Sequence, residues 1–205
     1  MGALDVCPFV VLGDSMSERS AVGFSCKVGR ELAQRYDLPV FLYEKSETGK
    51  HAKDLPALRK GGFEALPDKR LDPDYGPNRT HPRLGATVLG VRDWLLAINV
   101  NLADTDPAIA EQVAHKIREL RKTDPRFTGV RALGFSLPSR SRSQVSMNLT
   151  RPDETPVDAI VEWVEREAKS IGSRVTETEL IGVIRRRDVA TATRVPVQPA
   201  QIIEE

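Results

Sequence analysis

Two arginines and a histidine alternate along a proline-rich stretch of the chain, and these three side chains are the ones best suited to hold an anion. Residues 67–85 contain four prolines and two glycines, which predicts neither helix nor central strand. Arg79, His81 and Arg83 occupy every second position, so an extended segment would place them on one side. Arginine forks bind carboxylates through paired hydrogen bonds, and a neutral imidazole between them could serve as acceptor or base. The alternative is a solvated polar linker.

Polar side chains also alternate in two segments that are predicted to be strands. They are Asn99 and Asn101 in the first segment, and Gln144, Ser146 and Asn148 in the second. Alternation on a strand puts side chains on one face of the sheet. A row of amides and hydroxyls suits a polar ligand with amide or pterin-like edges, whereas a hydrated sheet face is the alternative.

The remaining polar candidates are weaker. Arg140 and Arg142 lie in a predicted turn between two strands, which is either an anion site or a solvated turn. His51 lies in a lysine-rich loop and is predicted to be a surface residue. His115 lies near the exposed side of a predicted helix and is predicted to be structural or solvated. The sequence shows no Ser-His-Asp arrangement, metal-ligand cluster, Walker loop or dinucleotide motif.

The elements before the proline-rich stretch form a βαβ pattern. Residues 4–12 are predicted to be a strand, followed by a helix that begins at Ser15 or Ser17, ends near Tyr36 and precedes a strand at 39–43. Residues 44–54 are predicted to be a surface loop and residues 55–59 a short helix. This first part, with about two strands and two helices, is predicted to be an incomplete α/β piece.

The elements after the proline-rich stretch follow a βαββαβ order. Strands are predicted at 94–102, 131–137 and 144–149, and a short one within 173–184. One helix is predicted from a cap at Asp104 or Thr105 to about residue 122, and another opens at 155–156. The order predicts a ferredoxin-like layer, and the tail after Arg185 is predicted to be extended or frayed. The fold class is therefore α+β, a two-layer α/β sandwich.

Length, net charge, apolar runs and cysteine spacing argue against several classes of protein. A length of 205 residues allows one large domain or two small ones, and a net charge of +1 gives no reason to expect nucleic acid or an anionic membrane as partner. No stretch approaches the ~18 apolar residues of a membrane-spanning helix. Cys7 and Cys26 lack CxxC spacing, which favours reduced thiols in a cytoplasmic protein over a single disulfide.

Seven short blocks of the sequence, in order, resemble the formiminotransferase family of folate-dependent enzymes. They are MGALDVCPF at 1–9, LPALR at 55–59, FEALP at 63–67, DYGP at 74–77, GATV at 85–88, AINVNL at 97–102 and QVSMNL at 144–149. The resemblance spans residues 1 to about 187. It divides the chain into the end of an N-terminal subdomain at 1–75, a folate-binding connection at 76–85, a C-terminal subdomain at 86–187 and a tail at 188–205.

The resemblance implies transfer of a formimino group from formiminoglutamate to tetrahydrofolate in histidine degradation, in the cytoplasm and without a metal. It implies two α/β subdomains with folate, a substrate, held between them, and a possible homodimer. The quoted blocks are compatible with either a formimino or a formyl donor. The folate-binding segment maps onto Gly76, Pro77, Asn78, Arg79, Thr80, His81, Pro82, Arg83, Leu84 and Gly85. Arg79 or Arg83 would then hold a carboxylate of the folate tail.

One departure from the family concerns catalysis. In the family a His-Pro-Arg triplet directly precedes the MGALDVCPF block and supplies the catalytic acid/base, whereas this chain begins at Met1. The resemblance thus predicts a truncated chain with impaired transfer and no catalytic residue of its own. Residues 81–83 repeat the triplet but align with the folate segment, so His81 is not assigned as catalyst. The alternative function is a non-catalytic folate-binding or protein-interaction module.

Overall fold

A computed structural model describes residues 1–52, 55–66 and 72–205, and these residues form an α+β fold, as the sequence predicts. Residues 53–54 of the predicted surface loop and 67–71 of the predicted irregular stretch lie outside the described residues. The chain divides into two compact units, Met1–Asp93 and Trp94–Glu205.

The first unit is built on a three-stranded parallel sheet. Its elements in chain order are β1 (Val6–Phe9), α1 (Glu18–Tyr36), β2 (Val40–Leu42), α2 (Leu55–Arg59) and β3 (Thr87–Val91). The strand order is β1-β3-β2, so the last strand in the chain lies in the middle of the sheet. The third strand is absent from the sequence prediction, which expects only about two strands in this part. All five of its residues are buried, so it lacks the polar alternation that marks a half-exposed strand.

Helix α1 begins and ends where local chemistry favours it. The Ser17 side chain accepts a hydrogen bond from the backbone N–H of Ser20, which confirms one of the two predicted caps. Asp37 ends the helix in the left-handed conformation, with φ of 52°. The side facing the sheet carries small residues, including Ala21, Gly29 and Ala33, which allow close packing.

The second unit has a four-stranded antiparallel sheet and two helices. The elements are β4 (Leu96–Leu102), α3 (Pro107–Leu120), β5 (Val130–Leu137), β6 (Arg142–Leu149), α4 (Val157–Ser170) and β7 (Val175–Ile181), with the strand order β5-β6-β4-β7. This is the predicted βαββαβ order of elements. The prediction of a cap at Asp104 or Thr105 is wrong, because Asp106 caps α3 by accepting from the N–H of Ala108 at 2.9 Å.

Alternation along the strands divides the second sheet into two faces. Alternate apolar residues such as Ile98, Val100 and Met147 are at most 1% exposed and pack in one core with the buried sides of α3 and α4. The intervening residues of β4 and β6 lie on the opposite face, which we call the polar face.

The tail of the chain is packed, so the prediction of an extended or frayed end is wrong. Two short strands, β8 (Ile184–Arg185) and β9 (Ile202–Ile203), pair in parallel. Ala192 and Val195 between them are each 3% exposed and belong to the core of the second unit. Two buried apolar side chains and a strand pair hold this segment, whose prolines and few apolar residues predicted an extended or frayed end.

Candidate functional site

The candidate segment 76–85 is anchored to the first sheet just before it begins. Val40 of β2 donates its backbone N–H to the Tyr75 carbonyl at 2.9 Å, and Tyr75 donates back to the Val40 carbonyl at 3.2 Å. Gly76 follows with φ of 87°, and a Cβ at this position would lie 2.2 Å from the Leu38 carbonyl oxygen. The start of the segment therefore requires glycine both for its conformation and for its close approach to the chain after α1.

His81 folds the end of the segment into a turn. Its Nδ1 accepts hydrogen bonds from the backbone N–H groups of Arg83, at 3.2 Å, and Leu84, at 2.9 Å. His81 and Gly85 also exchange backbone hydrogen bonds of 3.0 and 2.9 Å, and Gly85 closes the turn with φ of 72°. Because Nδ1 accepts two N–H groups, the ring proton of the neutral imidazole lies on Nε2. The expectation of an extended segment with three side chains on one side is wrong, since the chain reverses here.

The two arginines of the segment have different surroundings. The Arg79 guanidinium forms an ion pair with Asp37, and the two side chains are 64% and 59% exposed. Arg83 is exposed in the turn and forms no ion pair with any residue that the structure describes. An exposed pair contributes only about 0–1 kcal/mol, so Arg79 can exchange its partner for a ligand carboxylate at low cost.

A pocket of about 460 Å³ lies beside this segment. It is lined by Phe63, Leu66, Asn78, Arg79, Thr80, His81 and Pro82. Of the ten predicted folate-binding residues the pocket thus brings together residues 78–82, while Gly76 and Pro77 lead into it and residues 83–85 form the turn beyond it. Phe63 and Leu66 were not among the predicted site residues. Their block was visible in the sequence, but no spacing rule connects it to residues 78–82.

A buried carboxylate stabilises the chain directly before the segment. The Asp74 side chain is 2% exposed and accepts hydrogen bonds from the Leu42 N–H at 2.6 Å, from the Thr48 hydroxyl and from His51 Nε2 at 2.7 Å. Burial alone would raise the pKa of Asp74, but the three donors outweigh it and the pKa is lowered. The loop after β2 is thereby tied to the residues that precede the pocket.

His51 is part of this network, so its prediction as a surface residue is wrong. Its side chain is 11% exposed, and its ring packs edge-on against Phe41 at 5.2 Å. Its Nδ1 lies 2.9 Å from the Ala52 carbonyl oxygen, and its Nε2 faces the Asp74 carboxylate. Both ring nitrogens thus lie within hydrogen-bond distance of oxygen atoms.

The polar face of the second unit carries the predicted amides, and glutamates of β7 join them. Asn101 donates to Glu179 at 3.0 Å and accepts from Gln144 at 2.7 Å, and both amides are at most 5% exposed. Arg140 binds Glu179 at 2.5 Å, and Arg142 binds Glu177 at 2.9 Å. The two arginines of the predicted anion site are thus paired with carboxylates of the same unit.

Glu179 is the carboxylate on which this network converges. Burial would raise its pKa, but hydrogen bonds from Arg140 and the neighbouring asparagines outweigh burial and lower it. A charged, hydrogen-bonded carboxylate therefore stands among amides on this face.

The described residues contain neither a cluster of metal ligands nor a helix suited to span a membrane. Within residues 1–52, 55–66 and 72–205, no three His, Cys, Asp or Glu side chains converge as metal ligands would. None of the helices in the described part of the chain is long and apolar enough to cross a membrane.

Comparison with known proteins gives matches along nearly the whole chain. Residues 1–92 match the model of the formiminotransferase domain, N-terminal subdomain, and residues 97–203 match that of the formiminotransferase domain. The chain is 37% identical over 188 residues to a glutamate formimidoyltransferase of Streptococcus pyogenes serotype M1, covering 89% of this chain and 61% of that protein. It is 38% identical over 192 residues to the formimidoyltransferase-cyclodeaminase of Mus musculus, covering 90% of this chain and 35% of that protein.

The two family matches meet where the structure itself divides. The first ends at residue 92 and the second begins at 97, on either side of the boundary between Asp93 and Trp94. The chain spans less than two thirds of the length of either relative. On the strength of both matches, the chain belongs to the formiminotransferase family.

Proposed function

We propose that this chain binds tetrahydrofolate through residues 76–85 and serves the transfer of a formimino group from formiminoglutamate to that folate. The relatives are named glutamate formimidoyltransferase and formimidoyltransferase-cyclodeaminase, which supports a one-carbon transfer with a glutamate derivative. The observation that carries the folate assignment is the pocket of about 460 Å³ that residues 78–82 line. Ligand pockets usually combine apolar walls with a few polar groups, and this one does.

Charge supports the same assignment. The folate tail ends in carboxylates, which arginine forks bind well. Arg79 lines the pocket, and Arg83 lies in the turn that begins at its lining residue His81. Arg83 makes no ion pair with any described residue, which leaves its guanidinium available to a ligand carboxylate.

The proposal gives residues 76–85 a binding role and assigns proton transfer to none of them. His81 resembles a catalytic histidine by its neighbours Pro82 and Arg83 alone. Its Nδ1 is occupied by two backbone N–H groups, which is the role of a turn residue. Tetrahydrofolate enters as a substrate, and the proposal includes no metal.

Calorimetry with tetrahydrofolate tests the proposal, alongside an assay of formiminoglutamate turnover. We expect binding by the unmodified chain. Arg79→Ala and Arg83→Ala should each weaken it about 5- to 10-fold, since a hydrogen bond to a charged group contributes about 1.5–3 kcal/mol before solvent exposure reduces it. Lys27→Ala, which removes an exposed cation from α1, is the matched control and should leave the affinity unchanged.

The outcomes separate the candidate functions. Binding together with turnover supports the transferase. Binding without turnover supports a folate-binding module instead. If the unmodified chain does not bind tetrahydrofolate, the folate assignment is wrong. If Arg83→Ala and Lys27→Ala change the affinity equally, Arg83 does not contact a folate carboxylate.

A further inference from the structure

The far end of the segment 76–85 is anchored by backbone hydrogen bonds to the first residues of the chain. Ala3 donates its N–H to the Leu84 carbonyl at 3.1 Å, and Ala86, which follows the segment, donates to the Met1 carbonyl at 3.2 Å. Because these partners are all backbone groups, this end keeps its anchor when side chains elsewhere are changed.

The near end depends on one side chain, the carboxylate of Asp74. It accepts hydrogen bonds from the N–H of Leu42, the hydroxyl of Thr48 and the Nε2 of His51. The backbone N–H of Asp74 also donates to the Val40 carbonyl at 3.0 Å. A single buried side chain therefore joins the end of β2 and the loop that follows it to the start of the segment.

The residues between the two anchored ends have no backbone hydrogen bonds of their own. In the described part of the chain, no backbone group of residues 77–80 bonds to another backbone group. The Arg79 side chain pairs with Asp37, but both are largely exposed, so this pair holds the segment only weakly. A span of this kind takes its position from its ends, and loosening one end lets it adopt more conformations.

A residue that positions such a span affects one rate constant of ligand binding more than the other. If only a fraction of the molecules holds the span in the binding conformation, the observed association rate constant falls by that fraction. The contacts of the bound complex stay the same, so dissociation keeps its rate. Loss of a direct ligand contact, in contrast, mainly makes dissociation faster.

We infer that Asp74 is a positioning residue for folate binding, because its carboxylate holds residues 76–85 in the conformation that admits the ligand. Asp74 is 2% exposed and is not among the residues that line the pocket, so it acts through the segment and not on the ligand itself. This inference rests on the proposed function and adds to it a residue outside the segment that sets the rate of association.

Stopped-flow mixing with tetrahydrofolate measures both rate constants. We expect Asp74→Asn to lower the association rate constant about 5- to 10-fold and to leave dissociation within about twofold. Thr48→Val removes one of the three donors at an exposed position and should lower association about 2- to 3-fold. Thr48→Ser keeps the hydroxyl and should retain the unmodified rate. If Asp74→Asn does not fold, the two Thr48 variants decide the question.

Ser46→Ala is the matched control, because it removes a buried polar contact just after β2 that does not involve Asp74. Ser46 is 3% exposed, and its hydroxyl accepts from the Val91 N–H at 3.0 Å and lies 2.8 Å from the Ser25 hydroxyl. None of these three residues lines the pocket. The variant should lower the midpoint of thermal unfolding and leave both rate constants unchanged.

The rate constants separate this inference from the proposed function. Slower association in Asp74→Asn and Thr48→Val, with Thr48→Ser and Ser46→Ala unchanged, supports it. If Asp74→Asn leaves the association rate constant unchanged, or if Ser46→Ala slows association equally, the inference is wrong. In either case the unmodified chain still binds tetrahydrofolate, so the folate assignment stands. If the unmodified chain does not bind it, both are wrong.

Discussion

At the scale of single residues, the Asp74 carboxylate has more hydrogen-bond partners than its loop sequence indicates. Three donors come from the strand end and loop of residues 42–51, and the sequence places none of them near it. Hydropathy and spacing identify which side chains can be charged, but they do not report which distant groups meet. For the same reason Arg79 and His81 were recognised as candidates, whereas the buried position of His51 and the pocket wall at Phe63 were not.

Asp74→Asn tests how much this carboxylate stabilises the fold. The substitution removes the charge that three donors share, and a hydrogen bond to a buried charge contributes about 1.5–3 kcal/mol. We therefore expect the free energy of unfolding at neutral pH to fall by about 2–3 kcal/mol in urea titrations. Asp37→Asn is the matched control, because Asp37 is 59% exposed and asparagine tolerates its left-handed conformation. The control should cost less than about 1 kcal/mol.

The pH dependence of unfolding, compared between the unmodified chain and Asp74→Asn, gives a second test of this carboxylate. The folded-state pKa of Asp74 is lowered from its usual 3.8, so its contribution is fully present above that value and is lost as pH falls through the folded pKa. The difference in stability between the unmodified chain and Asp74→Asn should therefore shrink below pH 3.8. A difference that stays constant down to acid pH would contradict the assigned role of the carboxylate.

At the scale of elements, amphipathic segments were predictable, whereas the fully buried strand β3 was not. Helices α1, α3 and α4 have one buried and one exposed side, β5 alternates buried and exposed residues in its first half, and β4 and β6 alternate apolar and polar residues. Each of these patterns leaves a period in the sequence. Strand β3 is buried on both faces and follows a long irregular stretch, so it leaves none. This strand completes the first sheet. The turn at residues 81–85 leads directly into it, so the position of β3 fixes the end of the turn.

Gly90→Ala tests the tight packing of β3. A Cβ at Gly90 would lie 2.4 Å from the Tyr43 carbonyl oxygen and 2.9 Å from its ring, and a backbone atom in a neighbouring segment cannot easily yield. Overpacking of this kind costs about 1–3 kcal/mol, which urea unfolding would detect. In Gly23→Ala, the control inside α1, the added Cβ meets no heavy atom within 4 Å. Alanine there should stabilise the helix by about 0.5–1 kcal/mol, so opposite signs are expected. Equal effects would argue against β3 as the close-packed centre of the sheet.

At the scale of the molecule, each unit has a hydrophobic core of its own. The apolar cluster of β4 to β7, α3 and α4 includes Ala192 and Val195, so the packed residues of the tail belong to the second unit. The first unit has two smaller clusters, one of which includes Val88 of β3 and the other Leu89. The tail also brings charge into the second unit, since the Arg185 side chain is 4% exposed and lies over the Trp94 ring at 5.7 Å. Buried aliphatic residues and a buried arginine therefore both attach the tail to the second unit.

We expect the Arg185 side chain to hold residues 186–203 against this core. Its guanidinium binds Asp188, 7% exposed, through contacts of 2.7 and 2.9 Å, and binds Asp153 at 2.8 Å. Arg185→Met keeps much of the length but leaves the Asp188 charge buried and unpaired, which costs about 3–5 kcal/mol. We expect hydrogen exchange at β9 to accelerate, and proteolysis after Arg187, a site that both variants retain, to become faster. Arg186→Met is the control, because Arg186 is 63% exposed in its pair with Glu204 and should contribute less than about 1 kcal/mol. Equal protection of β9 in the two variants would show that apolar packing at Ala192 and Val195 suffices to hold the tail.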